Sequence, residues 1–505
     1  MRITTAADTQ DDLQEALPDG QENVLSAEEI AEIKKKSVSG VLSYFVRTAF
    51  LQGIGLVSAL VLAAFLTPAD FGIYGIVTQL TALLTFFSDI GLAASLVQSH
   101  QQPKENAYKT AFTVQQILAW FIFFVLVAFG QSSWLQLKLG TEGIWLLRVL
   151  AFSFPLATLK TISSIQLERK LDFNKLVIPQ IFEQIIFNLI LIVLAWRGYG
   201  VMAYSYAVFA RSIIGVIVMQ IIQPWRPIFG IDRSELKHLL SFGLKFQLND
   251  LLARIKDQLY FLVLGAYLPL QDFGYMQWAK NWSMYPYNLT VQNVMAITFP
   301  TYSRLQSETA LLKRAIEKSL YFIATLIFPI LVAMSVFVYP LTVLVPRYAQ
   351  WQPALPSFVF FALSIAWAAI STPLTNTLNA IGQINKTLKL MVLWTVLTWI
   401  LTPILLWKFA FTGVALAAFL ISFTSYLSIL MVKRELPIAV WPQVKIPLLG
   451  SLVLAVLGLA LRNFAMRGFL FLFLAMIIAG LGYFLVFLLF GRQRLKMELE
   501  SIVKR

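Results

Sequence analysis

Apolar runs of about twenty residues alternate with short polar connections along most of the chain. A helix needs about that length to cross the hydrocarbon layer of a bilayer, whereas a membrane β-barrel would show shorter segments of alternating hydrophobicity. The pattern therefore predicts an all-α integral membrane protein with about fourteen transmembrane helices. These helices are expected to begin near Gly40, Phe71, Thr110, Gly143, Phe173, Tyr199, Leu239, Phe273, Ala315, Ala354, Thr387, Thr412, Ile446 and Gly468.

The composition supports this class and excludes several kinds of site. Of the 505 residues, 58% are hydrophobic and 13% are charged, whereas soluble domains are about one quarter charged. The chain has no cysteine, which excludes disulfides, iron–sulfur clusters and thiolate zinc sites. Its two histidines, His100 and His238, lie among charged residues in predicted loops. No metal or cofactor is predicted, and without a Walker A motif ATP hydrolysis is not expected.

The net charge of +14 is better explained by membrane topology than by nucleic-acid binding. Cytoplasmic loops of membrane proteins collect Lys and Arg. With a cytoplasmic N-terminus and alternating helices, the inner loops and ends hold roughly 25 such charges and the outer loops about six. We therefore predict a multi-pass protein of the cytoplasmic (inner) membrane with both termini cytoplasmic, and no nucleic-acid partner.

Both ends of the chain are predicted to be tails. Residues 1–36 are polar and acidic, contain no signal peptide, and include a short amphipathic helix that opens at a Ser26–Glu29 capping box. Residues 491–505 form a basic tail. Both tails are expected on the cytoplasmic side.

The tripeptide Asp-Phe-Gly occurs twice, at Asp70 and Asp272, 202 residues apart. Each copy follows an apolar run and opens another, which predicts a duplicated six-helix unit. Because six is even, the two units should be parallel and related by a pseudo-twofold axis along the membrane normal. We expect both Asp residues to cap the following helices, and Gly72 and Gly274 to allow close packing. The predicted lobes are 37–225 and 226–435, followed by two extra helices over 436–490.

This architecture and the segment FLTPADFGIYGIVTQLTALLTFFSDIGLAASLVQ, at 65–98, resemble the polysaccharide-transport branch of the MOP exporter superfamily, which includes the Wzx-type flippases. The resemblance covers about 37–490 in architecture and is specific in sequence around the first two helices. It implies a V-shaped pair of lobes, alternating access, and a transporter rather than an enzyme. The implied substrate is an oligosaccharide on polyprenyl diphosphate, a precursor of cell-surface polysaccharide. Membrane lipid, polysaccharide polymerase and glycosyltransferases are the other candidate partners.

Predicted helix seven, SFGLKFQLNDLLARIKDQLYFLVLG, carries the most polar residues of any membrane segment. Ionisable residues within membrane helices are costly and are therefore candidates for function. Two interpretations stay open. In the first, the charges on one face neutralise one another and fix packing. In the second, the helix lines a water-filled cavity that holds an anionic head group. The residues concerned are Lys245, Asn249, Asp250, Arg254, Lys256 and Asp257.

Helix one offers Arg47 and Gln52, which align at the repeat offset with Asn249 and Arg254. Both helices should therefore face one central space, where an arginine can bind a diphosphate with two parallel hydrogen bonds. Lys280, among Trp and Tyr residues, is a further head-group candidate. The alternatives are a snorkelling Arg47 and an aromatic belt around Lys280.

Asp89 and Glu183 are acids within predicted helices two and five. Together with Asp250 and Asp257 they are candidates for coupling transport to an ion gradient. The alternatives are partial solvation for Asp89 and, for either acid, an ion pair with Arg47, Lys160 or Arg211.

Other functions stay open at this point. A lipid II-type transporter or a drug/cation antiporter would share the architecture, although a basic cavity disfavours cations. A membrane polymerase or ligase would be an enzyme acting on the same lipid-linked sugars. The predicted outer loops reach only about a dozen residues, which is short for such an enzyme.

Overall fold

The structure is a computed structural model that describes residues 51–98, 102–237, 239–241 and 259–491. Within these ranges the chain is helical and has no strand, which confirms the predicted all-α class. The helices are α1 (Leu51–Phe65), α2 (Pro68–Asp89), α3 (Leu92–Gln98), α4 (Glu105–Phe129), α5 (Ser133–Arg169), α6 (Phe173–Trp196), α7 (Val201–Ile222), α8 (Tyr260–Tyr267), α9 (Leu270–Tyr287), α10 (Asn293–Arg304), α11 (Thr309–Leu344), α12 (Leu355–Ala380), α13 (Ile384–Ser422), α14 (Tyr426–Glu435), α15 (Val440–Ala460), α16 (Arg462–Ala465) and α17 (Phe469–Phe490).

Nine helical stretches within the described ranges are long and apolar enough to cross a membrane. One of them, 384–435, contains two predicted segments, because the chain reverses within α13 at Ala410, where φ is 48°. Gly413 follows the reversal, and a Cβ there would overlap the carbonyl of Leu405, so this turn requires glycine. The protein is thus multi-pass, while the total of fourteen helices stays a prediction.

The connections between helices lie at two ends of the molecule. At one end, which we call the basic face, the N–H of Asp232 donates to Thr110 Oγ1 at 2.9 Å, and Lys386 pairs with Glu435. We call the other end the opposite face. There Lys138 contacts the segment after α8, and the Arg462 guanidinium lies 3.9 Å from the Tyr339 ring centroid. Most Lys and Arg of the described connections lie at the basic face.

The helices pack as two bundles. Helices α2 to α7 pack mainly on one another, as do α9 to α14, and α15 and α17 pack against α11. The helices α1 and α8 directly precede these two groups in the chain, and we count each with the bundle that follows it. The bundles meet where α2 contacts α9, a contact that we call the seam. The residue limits predicted for the lobes stay a prediction.

The two Asp-Phe-Gly segments contact each other at the seam. A Cβ on Gly72 would overlap the carbonyl oxygen of Leu270, and a Cβ on Gly274 would overlap that of Pro68. Pro68 and Leu270 are 202 residues apart, like the two glycines, so the contact has local twofold symmetry. The backbones can approach this closely because neither glycine has a side chain. The glycines therefore allow close packing, and they do so between the bundles.

The two copies begin their helices differently. Thr67 is the N-cap of α2, and its Oγ1 accepts from the Asp70 N–H at 3.2 Å. The Asp70 carboxylate accepts in return from the Thr67 N–H at 2.8 Å, which completes a capping box. Pro269 occupies the equivalent place before α9, and this helix has no side-chain cap. The predicted cap by Asp272 is therefore wrong, because proline has neither the hydroxyl nor the N–H that the box requires.

Gly72→Val should separate the bundles at the opposite face, because its side chain would overlap backbone of α9. The chain has no cysteine, so cysteines replacing Leu137 and Trp407, which are 87% and 86% exposed near that face, can carry spin labels. We expect longer inter-label distances and a loss of stability of about 1–3 kcal/mol. Gly480→Val is the matched control, since nothing lies within 4 Å of a Cβ there. Unchanged distances in Gly72→Val would contradict this role of the contact.

Candidate functional site

Four of the eleven candidate site residues lie within the described ranges: Gln52, Asp89, Glu183 and Lys280. The predicted tails over 1–36 and 492–505, and both histidines, lie outside those ranges. Seven candidates also lie outside them and stay predictions: Arg47, Lys245, Asn249, Asp250, Arg254, Lys256 and Asp257.

A mirrored pair of side chains closes the seam at the opposite face. Lys138, near the start of α5, donates to the carbonyl oxygen of Leu268 at the end of α8. Gln350, in the turn Pro346–Ala354, donates to the carbonyl oxygen of Leu66 after α1, at 3.2 Å. Leu66 and Leu268 are 202 residues apart, and carbonyls at a helix end lack partners within the helix. Each bundle therefore supplies a donor to the other, and we call these contacts the seal.

Trp351 occupies the centre of the seal. Its side chain is fully buried, and its indole N–H donates to the carbonyl oxygen of Ala63 at 2.7 Å. Its ring stacks on Trp278, with centroids 5.1 Å apart, and meets the edge of Phe71 at 5.0 Å. One side chain thus joins α1, α2 and α9. Trp278, one of the aromatic residues near Lys280 in the sequence, is buried at the seam.

A polar cavity of about 380 Å³ lies on the basic-face side of the seal, among α2, α4, α5 and α7. Hydroxyl residues spaced three or four apart along α2 form one wall. Thr78 Oγ1 donates to the Tyr74 carbonyl at 2.7 Å, yet its lone pairs can still accept a ligand hydrogen bond. The polar lining is Thr78, Thr81, Thr85, Ser88, Asp89, Gln115, Ser153, Thr158, Thr161 and Arg211.

Asp89 ends α2 and lines this cavity, half-buried. Its Oδ1 accepts from the side-chain amide of Gln115 and from the N–H of Ala93 at 3.1 Å. None of the described Lys and Arg residues forms an ion pair with it. The carboxylate is thus oriented by neutral donors while it faces the cavity.

Glu183 of α6 forms an ion pair with Lys160 of α5. Its carboxylate lies against α7, where a Cβ on Gly215 would overlap it. Of the three partners considered from the sequence, the structure shows Lys160. Arg211 lies instead over the Phe187 ring, 4.9 Å from its centroid, and lines the cavity.

Lys280 holds the position in α9 that Thr78 holds in α2, at the same offset of 202 residues. Because the seam is twofold at its glycines, this offset places Lys280 beside the seam in the second bundle. Its Nζ lies 3.2 Å from the centroid of the Phe261 ring in α8, which is a cation–π contact.

Gln52 lies in α1, about one turn toward the basic face from Gly55. The Gly55 carbonyl accepts from the Tyr285 hydroxyl of α9 at 3.3 Å, so α1 also crosses to the second bundle. The side-chain oxygen of Gln52 is buried and has no hydrogen-bond partner among the described residues. Gln52 and Lys280 therefore lie on helices that contact each other.

A second cavity, of about 490 Å³, lies beside Trp351 and is almost wholly apolar. Met334 of α11 and Leu472 of α17 line one side, and Leu60 of α1 lines the other. Such a lining suits a hydrocarbon chain and offers little to a sugar.

Sequence reasoning missed the hydroxyl wall and the place of Arg211 in the cavity. The spacing of Thr78, Thr81, Thr85 and Ser88 on one helix face is a signal that could have found the wall. Hydroxyls in helices commonly bond only their own backbone, so the spacing alone is ambiguous. Which residues of α5 and α7 face α2 depends on bundle packing.

A family model described as "Polysaccharide biosynthesis protein" matches residues 61–356, more than half of the chain. The chain belongs to this polysaccharide biosynthesis family. The match spans both Asp-Phe-Gly copies, the seal and the polar cavity, and it confirms the family predicted by resemblance.

Three relatives share 21–22% identity with the chain. The succinoglycan biosynthesis transport protein ExoT of Rhizobium meliloti (strain 1021) is 22% identical over 66% of each chain. The teichuronic acid biosynthesis protein TuaB of Bacillus subtilis (strain 168) is 22% identical over 70% of this chain and 72% of its own. The lipopolysaccharide biosynthesis protein WzxC of Escherichia coli (strain K12) is 21% identical over 71% of this chain and 72% of its own. The chain thus spans just under two thirds of ExoT.

Two solved structures show the fold. The lipid II flippase MurJ, in an inward closed conformation, aligns with 89% of this chain and 99% of its own, with a TM-score of 0.70 and 16% identity. An inward-facing multidrug resistance MATE family transporter of the MOP superfamily aligns with 76% and 95%, with a TM-score of 0.54 and 15% identity. The protein therefore has the same all-α fold as these two transporters.

Removing the donors of the seal should open the cavity to the opposite face. A cysteine replacing Ser153, in the cavity wall, should react with a membrane-impermeant maleimide mainly from the basic face. Lys138→Met with Gln350→Leu should raise the reaction rate from the opposite face by about tenfold, because two inter-bundle hydrogen bonds are lost. Lys408→Met, at an exposed lysine near the opposite face, is the control. Equal rates with and without the two donors would show that they do not hold the seam closed.

Proposed function

We propose that the protein is a flippase that moves an oligosaccharide linked to polyprenyl diphosphate across the cytoplasmic membrane by alternating access. The observation that carries the proposal is a polar, hydroxyl-lined cavity beside a seam that contacts between the bundles close at the opposite face. Relatives named for succinoglycan, teichuronic acid and lipopolysaccharide biosynthesis support a cell-surface polysaccharide precursor as the substrate.

The basic face is proposed to be cytoplasmic, with both termini on that side, because Lys and Arg collect in cytoplasmic loops. In this orientation the polar cavity lies on the cytoplasmic side of the seal. The substrate would enter from the cytoplasmic side and leave after the seal opens. Polymerases and glycosyltransferases that handle the same precursor are the proposed partners.

The head group is proposed to bind between the hydroxyl wall of α2 and the side chains of Gln52 and Lys280. Sugar hydroxyls would donate to the Thr and Ser oxygens, and the Lys280 ammonium would attract the diphosphate. The remaining candidates for this anionic group, proposed from the sequence alone, are Arg47, Lys245, Asn249, Arg254 and Lys256. The apolar cavity lined by Leu60 and Leu472 would hold part of the prenyl chain.

The transport cycle is proposed to require that the seal opens and closes. When the bundles separate, the carbonyls of Leu66 and Leu268 lose their donors from the other bundle and can be hydrated at the opposite face. The cost of this exchange is small, because water replaces the lost hydrogen bonds. A closed and an open arrangement can then differ by only a few kcal/mol, as alternating access requires.

Among the described acids, Asp89 is the better candidate for ion coupling. It faces the polar cavity and forms no ion pair among the described residues, so its charge can respond to a proton or a metal cation. Glu183 is neutralised by Lys160, and its proposed role is to hold α5 to α6. Asp250 and Asp257 stay candidates from the sequence.

Removing the positive charge of Lys280 should slow the translocation of a fluorescent polyprenyl-diphosphate oligosaccharide in proteoliposomes. Lys280→Gln should lower the rate about tenfold or more, because a charge-assisted contact to the diphosphate is lost. Arg47→Ala, Arg254→Ala and Lys256→Ala should act in the same direction. Lys408→Gln, at an exposed lysine near the opposite face, should leave the rate unchanged. Unchanged rates in Lys280→Gln, Arg47→Ala, Arg254→Ala and Lys256→Ala would refute a cationic head-group site. Efflux of an organic cation, without translocation of the lipid-linked oligosaccharide, would favour an antiporter.

Asp89 and Glu183, the two coupling candidates within the described residues, should behave differently in a coupling assay. Asp89→Asn should abolish any acceleration of translocation by an imposed proton or sodium gradient, because the cavity then lacks its carboxylate. Glu183→Gln should keep the acceleration but lower the unfolding temperature, because Lys160 loses its partner. An Asp89→Asn variant that still responds fully to both gradients would remove Asp89 as the coupling residue.

A further inference from the structure

A groove on the outer surface of the first bundle contains an arginine, Arg148, whose Nε has no hydrogen-bond partner among the described residues. It lies among α4, α5 and α7 and encloses about 680 Å³. Arg148 of α5 lines it, and the Nε of this side chain is buried without a hydrogen-bond partner among the described residues. The Oγ of Ser205, on a residue only 1% exposed, lines the same groove and is also unpartnered there.

The groove faces the bilayer and not the polar cavity. Trp145, Tyr206 and Phe209 line it and are 43–46% exposed, as expected for side chains that contact lipid. The cavity residues of α5 lie on another face of that helix: Leu150, Phe154, Ala157 and Thr161. A substrate in the polar cavity would therefore be separated from the groove by α5 and α7.

The groove lies at the level where lipid head groups are expected. Gln131, in the turn after α4, lines the end of the groove nearest the opposite face. The exposed aromatic residues Trp145 and Tyr206 are typical of a membrane interface. Arg148 lies three residues deeper along the helix than Trp145, about 4.5 Å. Both α5 and α7 run from the opposite face, so their side chains tilt back toward it.

We propose that this groove binds one glycerophospholipid of the leaflet at the opposite face, with Arg148 and Ser205 donating to its phosphodiester. An arginine at this depth needs an anionic partner, and the described residues provide none. The aromatic and apolar walls, which include Phe123, Phe152 and Phe209, match an acyl chain. One guanidinium and one hydroxyl suit a singly charged phosphodiester, whereas a diphosphate would call for more cations.

Native mass spectrometry of the full chain, delipidated in detergent and titrated with phosphatidylglycerol, tests this site. We expect one phosphatidylglycerol to bind, and Arg148→Met to weaken that binding about tenfold. Arg197→Met is the matched control, since Arg197 is an exposed arginine of the same bundle near the same face, and it should leave binding unchanged. Unchanged binding in a folded Arg148→Met would overturn the proposal.

Two further variants keep the test decisive if Arg148→Met does not fold. Arg148→Lys keeps the charge but loses the planar fork, and Ser205→Ala removes one hydroxyl, so each should weaken binding about threefold. Full affinity in both would overturn the site. Competition with polyprenyl diphosphate distinguishes the two sources of lipid phosphate. If the diphosphate displaces phosphatidylglycerol from wild type at a lower concentration than phosphatidylglycerol itself requires, the groove belongs to the transported lipid and the proposal is wrong.

Discussion

The contact between Gly72 and Gly274 is the constraint on which the rest of the structure depends. Two helix backbones touch there without side chains between them, and the twofold symmetry of the contact aligns the ends of α1 and α8 with donors from the other bundle. Trp351 then fills the remaining space against Trp278 and Phe71. Closely packed contacts tend to move between discrete arrangements and not to deform continuously, which fits the proposed separation and return of the bundles.

The polar groups of the first bundle divide into those that are satisfied and those that face a cavity. Glu183 and Lys160 neutralise each other, as burial in a membrane protein favours. Asp89, Arg211 and the hydroxyls of α2 are exposed instead to one polar space on the basic-face side of the seal. This division places the chemistry suited to a sugar beside the seam, where motion of the bundles can expose it to either side.

Much of the fold could be predicted from the sequence, because the membrane imposes long apolar helices and the Asp-Phe-Gly repeat marks a duplication. The wrong prediction of a cap by Asp272 could also have been avoided from the sequence, since Pro269 occupies the position that Thr67 has in the first copy. The seal could not be predicted. Lys138 and Gln350 play mirrored roles, yet they are different residues and do not share the repeat offset, because the chain between each Asp-Phe-Gly segment and its donor differs in length. Which residues of α4, α5 and α7 complete the cavity around the hydroxyl wall of α2 likewise depends on how these helices pack.

The central claim is that the seal must open for a lipid-linked oligosaccharide to cross. The most direct measurement is translocation in proteoliposomes by a Phe65→Cys, Arg347→Cys variant, in a chain that has no other cysteine. The Arg347 guanidinium lies 4.7 Å from the centroid of the Phe65 ring beside the seal, so a short reducible thiol cross-linker can join the two positions without removing a donor of the seal. Translocation should stop when the cross-link is complete and resume when it is reduced, with each single-cysteine variant unaffected. Translocation that continues at the uncross-linked rate in the fully cross-linked protein would contradict the account.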